Sequence, residues 1–282
     1  MLLYSKNCVE EGYEKLKAFI KERGQRKIMF IIIQNPEDYA SEVYIRMKKK
    51  KCKELGIETL IYKEKSTPGE IKEFIESASR TYRLLGYYVG VMIQRPAYWK
   101  DTEEFIDHLI PPYSDVDGET AVSLGLIIKN RNMLEPATPK GVMTLLEYYD
   151  IELESKNILI INRSATLGKP LAMMMLNKNA TVTIAHSKTD NLKELCQKAD
   201  VIVTGINNKE VFTPDWFKDE AVIVDVSTNV GEDGKTCGDI KKEYYEELSE
   251  KKNCKLTPVP GGIGPMTVLS LMENLLKTID LQ

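Results

Sequence analysis

The chain has 282 residues, 43% apolar and 29% charged, which is enough for two packed domains under an ordinary polar surface. A net charge of −3 gives no general attraction for nucleic acid or an anionic membrane. The five cysteines (Cys8, Cys52, Cys196, Cys237, Cys254) are odd in number, scattered and without a Cys-x-x-Cys pair, so reduced thiols are expected, not disulfides or zinc. Two histidines, His108 and His186, exclude a histidine-rich metal site, and no metal is expected. No apolar run reaches membrane-spanning length and no signal-peptide shape opens the chain. These features predict a soluble, cytoplasmic α/β protein.

In chain order, Val9, Tyr13, Leu16 and Ile20 predict an amphipathic helix over 9–22. A buried strand is expected at 27–34, then turn chemistry at Asn35-Pro36, and a helix capped by Asp38 or Ser41 that runs to Leu55. A strand at 58–62 precedes Thr67-Pro68-x-Glu70, a capping box with proline at the first helical position. Another strand follows at 88–93. This alternation predicts a first, mostly parallel sheet covered by helices. Helices are expected at 120–129 and, with Thr138 as cap, at 139–149.

The stretch from Asn157 to Met175 is the most informative. Ile158 to Ile161 suit a strand buried on both faces, the turn runs from Asn162 to Thr166, and Leu171, Met174 and Met175 share a helical face. A strand at 180–185 completes a β-turn-α-β unit. The unpaired N–H groups at such a helix start favour anions, and Arg163 adds a permanent charge. Of the Gly-x-Gly-x-x-Gly fingerprint only Gly168 remains, so an ordinary α/β crossover is the competing reading. His186-Ser187-Lys188-Thr189 closes the unit with no acid before Asp190; hydroxyls and a lysine suit a ribose 2′-phosphate, hence NADP, with NAD the alternative. Strands near 201–204 and 221–226, helices at 192–198 and 241–251, and a last helix at 268–279 finish the chain.

Three further groups can carry chemistry. Tyr44 and Lys48 lie four apart on one helix face that Cys52 extends, so a partly desolvated Lys48 can act as general base or acid. Against this, Lys48 opens a run of four lysines, and such runs mark solvated faces. Asp115-Val116-Asp117-Gly118 follows two prolines; its carboxylates can hold a heterocycle with N–H donors, or simply cap a helix. Gly261-Gly262-Ile263-Gly264, stiffened by Pro258, Pro260 and Pro265, lets backbone approach a ligand at a helix start.

Taken together, these pieces resemble the bifunctional methylenetetrahydrofolate dehydrogenase/methenyltetrahydrofolate cyclohydrolase family. The resemblance spans nearly the whole chain: Ser41-x-x-Tyr44-x-x-x-Lys48, Gly90 through Gln94-Arg95-Pro96, Asp115 through Gly118, Pro136 through Gly141, Arg163-Ser164 with Gly168 and Pro170, His186 through Thr189, Gly238-Asp239, and Pro258 through Thr267. It implies oxidation of methylenetetrahydrofolate to the methenyl form, then hydrolysis to formyltetrahydrofolate, for one-carbon metabolism and purine biosynthesis. It implies a folate cleft between an N-terminal α/β domain (1–118, completed by a helix over 266–282) and a Rossmann-type NAD(P)-binding domain (150–265), bridged by helices over 119–149. It implies Lys48 as the hydrolytic group, Gln94 orienting it, Tyr44 packing on the folate and Asp117 bonding the pterin. Pro260, Gly261, Gly262 and Gly264 join the substrate site. Asn162, Arg163, Ser164, Gly168, His186, Ser187, Lys188, Thr228 and Asn229 line the cofactor. A homodimer through the second domain is implied as well.

Departures from the family pattern are Asn162 for glycine, Ala137 for cysteine, Ser114 for lysine, Glu119 for an apolar residue, and Ser227-Thr228 before Asn229. Asn162 is expected to tolerate positive φ if its turn requires it. The departures around the cofactor leave a monofunctional dehydrogenase or cyclohydrolase as an alternative. A folate- or nucleotide-binding protein without turnover is a further one, and a shikimate-type dehydrogenase is disfavoured by 258–267.

Overall fold

Unbroken apolar runs make the central strands. The computed structural model describes all residues but Gln25, Ala40, Lys100, Asp101, Asn132, Glu232 and Asp233, and the side chains of 102–104. In order the elements are α1 Lys6–Glu22, β1 Lys27–Ile33, α2 Ser41–Glu54, β2 Glu58–Tyr62, α3 Pro68–Leu84, β3 Tyr87–Ile93, α4 Thr102–Leu109, α5 Ala121–Ile128 and α6 Ala137–Tyr148. There follow β4 Asn157–Ile161, α7 Gly168–Leu176, β5 Thr181–Ala185, α8 Leu192–Lys198, β6 Val201–Thr204, β7 Val222–Asp225, β8 Asn229–Val230, β9 Thr236–Cys237, β10 Lys255–Leu256 and α9 Ile263–Leu281. No helix among the described residues is long and apolar enough to cross a membrane.

The chain forms two compact units, each built from two segments. The first holds Gly12–Ala137 and Val268–Gln282; the second holds Met1–Glu11 and Thr138–Thr267. This differs from the expected division: 119–137 belong to the first unit, while 138–149 and the first eleven residues belong to the second. Backbone pairing explains the last point. Leu3 N–H donates to Leu256 O (2.8 Å), Leu256 N–H donates to Met1 O (3.0 Å), and Leu3 is fully buried, so the chain start extends the sheet beyond β10.

In the first unit, β1 lies between β2 and β3 in a parallel three-stranded sheet. Ile28 to Ile33 are all buried, as both faces of a covered central strand require. Helix α3 starts with the complete Thr67/Glu70 capping box, and its Ile71 and Ile75 pack with Ile31, Val91 and Ile106. Thr120 caps α5 through the Ser123 N–H.

The second unit has a five-stranded parallel sheet in the order β10-β7-β6-β4-β5. Successive strands β5 and β6 flank β4 on opposite sides, so the winding reverses there. In open α/β sheets the ligand crevice lies at that reversal, beyond the strands' carboxyl ends. Leu159, Ile161, Ile202, Ile223, Phe212, Phe217 and Leu248 form the core on one side.

Several local expectations are corrected. The helix expected at 241–251 is a 3-10 turn, Lys242–Tyr244, followed by a π turn, Glu247–Lys251. The wider turn lets Tyr245 and Leu248 both reach the core. Helix α6 begins at Ala137, and Thr138 does not cap it; the Thr138 hydroxyl instead accepts from Thr267 Oγ1 (3.2 Å). Helix α9 begins at Ile263, five residues earlier than expected, because proline is tolerated in a first turn that has no N–H partner to lose. The β8–β9 hairpin and β10 were not foreseen.

Candidate active site

In the first unit, α2 presents Ser41, Ile45, Lys48 and Cys52 to the interior, while Lys49 and Lys50 remain exposed. The periodicity of the helix therefore separates Lys48 from the lysines beside it. Its Nζ donates to Gln94 Oε1 at 2.8 Å and lies 3.5 Å from Met92 Sδ. Gln94 sits just past β3, and its Nε2 donates to Arg95 O (2.9 Å), which fixes the amide with its oxygen toward the lysine. Burial pushes the Lys48 ammonium below the ordinary lysine range, opposed by Asp117, Glu119 and Cys52. Such an amine gives up its proton more readily than an ordinary lysine. Tyr44, one turn earlier, is 43% exposed, so its ring face is open to a planar ligand.

Asp117 lies on the loop before α5. Gly118, at φ +68°, lets this loop pass so close to its neighbour that a Cβ would meet the Glu135 carbonyl carbon and Pro136 N at 2.4 Å. Asn274 on α9 pins both sides: its Nδ2 donates to Val116 O (2.8 Å) and Glu135 O (2.7 Å). Asp115 is fully buried and is the anchor; its carboxylate accepts from Glu119 N–H, Thr120 N–H and Ser123 Oγ. Asp117's own carboxylate accepts no hydrogen bond among the described residues, which leaves it open to a ligand. Burial raises its carboxyl above the usual range; Lys48 and Arg95 oppose this and Asp115 adds to it. The alternative reading of the two carboxylates is thus divided: Asp115 is the structural cap, and Asp117 is the free acid.

In the second unit the turn after β4 is organised by Asn162. Its Oδ1 accepts from Ser164 N–H (2.8 Å), Ser164 Oγ (2.8 Å) and Gly168 N–H (3.1 Å), and its Nδ2 donates to Gly205 O (2.7 Å), tying the ends of β4 and β6 together. The turn does not require positive φ at Asn162, and the Asn162 side chain shapes it from within. Gly168 serves the same closure: a Cβ there would meet Asn162 O at 1.9 Å. Arg163 is exposed, with no ion pair among the described residues. The N–H groups of Arg163, Ala165 and Thr166 likewise have no protein partner among them, so they are available to phosphate oxygens. At the end of β5, His186 Nδ1 accepts from Lys188 N–H (3.1 Å), while Ser187 and Lys188 are exposed. These residues fit a dinucleotide phosphate.

Thr228 N–H donates to Asn207 Oδ1 (3.4 Å), and Asn229 Nδ2 donates to Asp239 Oδ1 (3.3 Å). Asp239 also accepts from Thr204 Oγ1 and the Ile206 and Asn208 N–H groups. Beside it, Asp225 accepts from the Ser227, Asp239 and Ile240 N–H groups, and burial together with Asp239 pushes its carboxyl up to about 7. The residues that set these loops, Asp225 and Asp239, were read at most as motif members. In the Pro258–Thr267 segment, Gly261 has φ +112° and its carbonyl accepts from Ser5 N–H and Oγ (both 2.9 Å). Pro260 and Gly264 are exposed, whereas Gly262 is buried. Sequence reasoning also missed Asn274, a buried amide among apolar neighbours on α9, and the pairing of Arg95 with Glu119; the signal for both was a polar residue where an apolar one fits.

Comparison with known proteins bears on both units. The profile of the tetrahydrofolate dehydrogenase/cyclohydrolase catalytic domain matches residues 3–117, and that of the family's NAD(P)-binding domain matches 136–282. A bifunctional FolD protein of Lactobacillus acidophilus is 41% identical over 270 residues, 94% of this chain and 92% of its own length. The crystal structure of the bifunctional FolD methylenetetrahydrofolate dehydrogenase/cyclohydrolase from Campylobacter jejuni matches at 32% identity and a TM-score of 0.89, over 100% of this chain and 99% of that one. The bifunctional enzyme structure from Thermoplasma acidophilum matches at 30% identity and a TM-score of 0.89, over 100% and 98%. With a lysine–glutamine pair beside an unpartnered aspartate in one unit and a phosphate-ready turn in the other, the chain belongs to the tetrahydrofolate dehydrogenase/cyclohydrolase family.

Proposed function

We propose that this chain oxidises methylenetetrahydrofolate to methenyltetrahydrofolate with NADP and then hydrolyses the methenyl cation to formyltetrahydrofolate. The observation that carries this reading is the 2.8 Å contact of a buried Lys48 amine with Gln94. Neutral Lys48 takes a proton from water as its oxygen adds to the methenyl carbon. It then returns a proton to the departing folate nitrogen as that carbon–nitrogen bond breaks and the carbinol hydroxyl loses its own proton to solvent. The overall step converts cation and water to formyl product and one proton. Gln94 orients the amine, Asp117 receives pterin N–H groups, and Tyr44 stacks on the ring.

When bound, the nicotinamide accepts the hydride from the methylene carbon. The protein's part is to hold it: the open N–H groups of the 163–166 turn take the diphosphate, and Arg163 joins Ser187 and Lys188 on the 2′-phosphate, which favours NADP over NAD. Pro260, Gly261, Gly262 and Gly264 are further residues that this reading assigns to the substrate. The same reading makes the protein a cytoplasmic homodimer serving purine biosynthesis.

The test is a spectrophotometric assay with methylenetetrahydrofolate and each dinucleotide, following reduced nicotinamide and methenyl product separately. Reduced cofactor with little lasting methenyl absorbance is expected, faster with NADP. No reduction with either cofactor overturns the dehydrogenase, and no turnover of added methenyltetrahydrofolate overturns the cyclohydrolase.

A further inference from the structure

Behind the Lys48–Gln94 pair stands a second layer that links back to the Asp117 loop. Gln94 Nε2 donates to the carbonyl of Arg95, and the Arg95 guanidinium grips Glu119, with Nη2 at 2.8 Å and Nε at 3.3 Å from Oε2. Glu119 is itself held at its backbone by Asp115, whose carboxylate accepts the Glu119 N–H (3.1 Å). The Glu119 side chain is only 9% exposed. A carboxylate buried at that cost, two residues from the acid assigned to the pterin, calls for a purpose.

We propose that Glu119, gripping Arg95, is a positioning residue for the hydrolytic lysine: it fixes the carbonyl that orients Gln94 and supplies a second negative charge that governs how tightly Lys48 holds its proton. The proposal rests on the functional reading above and deepens it. Asp117, Arg95 and Asp115 bear on the Glu119 carboxyl, and Asp117, Glu119 and Cys52 bear on the Lys48 ammonium. Burial and Asp117 push the Glu119 carboxyl up to about 7, with Arg95 resisting. Glu119 therefore ionises as pH rises through neutrality, and the new anion favours the ammonium form of Lys48. The coupling keeps Lys48 charged to higher pH than burial alone permits.

The test reads Lys48 without requiring turnover. Competitive acylation of the folded protein across pH, with Lys48 resolved by peptide mass analysis, gives the midpoint of its titration. Glu119→Gln removes the charge and weakens the grip on Arg95: it should move that midpoint down by at least about half a pH unit, yet lower methenyl hydrolysis about tenfold near neutrality because the lost hold on Gln94 outweighs the larger neutral fraction of Lys48, with hydride transfer changed far less. Glu119→Asp retains the charge and should return the midpoint to the parent value. An unmoved midpoint in a folded Glu119→Gln protein overturns the inference, whether or not activity falls. If Glu119→Gln does not fold, Glu119→Met, which fills the site without the charge, decides: a Lys48 midpoint below the parent value supports the coupling, and an unmoved midpoint overturns it. A parent protein that labels as described but turns over neither substrate would refute the functional reading alone.

Discussion

Lys48 is buried while Lys49 and Lys50 are exposed, and the proposed hydrolysis depends on that difference. Lys48→Met keeps the volume but removes the proton carrier, so methenyl hydrolysis should fall to background while hydride transfer stays measurable; equal loss of both would refute this division of labour. Arg163, exposed beside three open N–H groups, has a separable effect. Arg163→Ala should raise the NADP dissociation constant more than that of NAD, about tenfold against about threefold, measured by titration calorimetry. Asp225 answers a different question. Its folded carboxyl, at about 7 against 3.8 in the open chain, binds a proton more readily than the unfolded state does. The stability this gives is complete below 3.8 and is lost as pH rises through about 7. Across that window the parent should lose about 1.4 kcal/mol per pH unit more than Asp225→Asn. Glu119 contributes a like slope to both proteins, so denaturant melts of the pair isolate Asp225; parallel curves would contradict its raised affinity for the proton.

Among the elements, α9 does more than close a core. Its Leu275 and Leu276 are buried, while Asn274 uses one amide nitrogen to hold the carbonyls on both sides of the Asp117 turn. Asn274→Ala leaves two carbonyls without that donor, which should cost about 2–3 kcal/mol in a urea melt and raise KM for the folate more than it lowers kcat. An altered kcat with unaltered KM would show that Asn274 does not set Asp117. The sequence made the long elements legible and the short ones not. β1, β4 and β6 carry their burial in continuous apolar runs, and α3 announces itself through Thr67, Pro68 and Glu70. β10 and the β8–β9 hairpin are two-residue pieces defined by their partners, and the π turn at Glu247–Lys251 reflects where Tyr245 and Leu248 must go; neither leaves a periodic trace.

For the molecule as a whole, the site was legible by resemblance more than by pattern. Lys48 is one of four consecutive lysines, and only helix rotation against the sheet tells it from the rest. Arg95 and Glu119 are 24 positions apart and meet only once β3 and the Asp117 loop are in place, so no local rule joins them. The same dependence on distant segments governs each unit entirely. One needs 268–282 to finish a core begun at residue 12, and the other needs the first eleven residues beside β10. A growing polypeptide emerging from the ribosome therefore cannot complete the first unit until residues 268–282 are made, by which time every residue of the second has been made. The usual order, in which the N-terminal domain is finished first, is closed to it. A chain released after residue 267 should stay incomplete: compact, dye-binding and protease-sensitive, with far-ultraviolet dichroism but no cooperative melt of its first unit. A sharp melt of that truncated first unit would show instead that the C-terminal segment is an ornament.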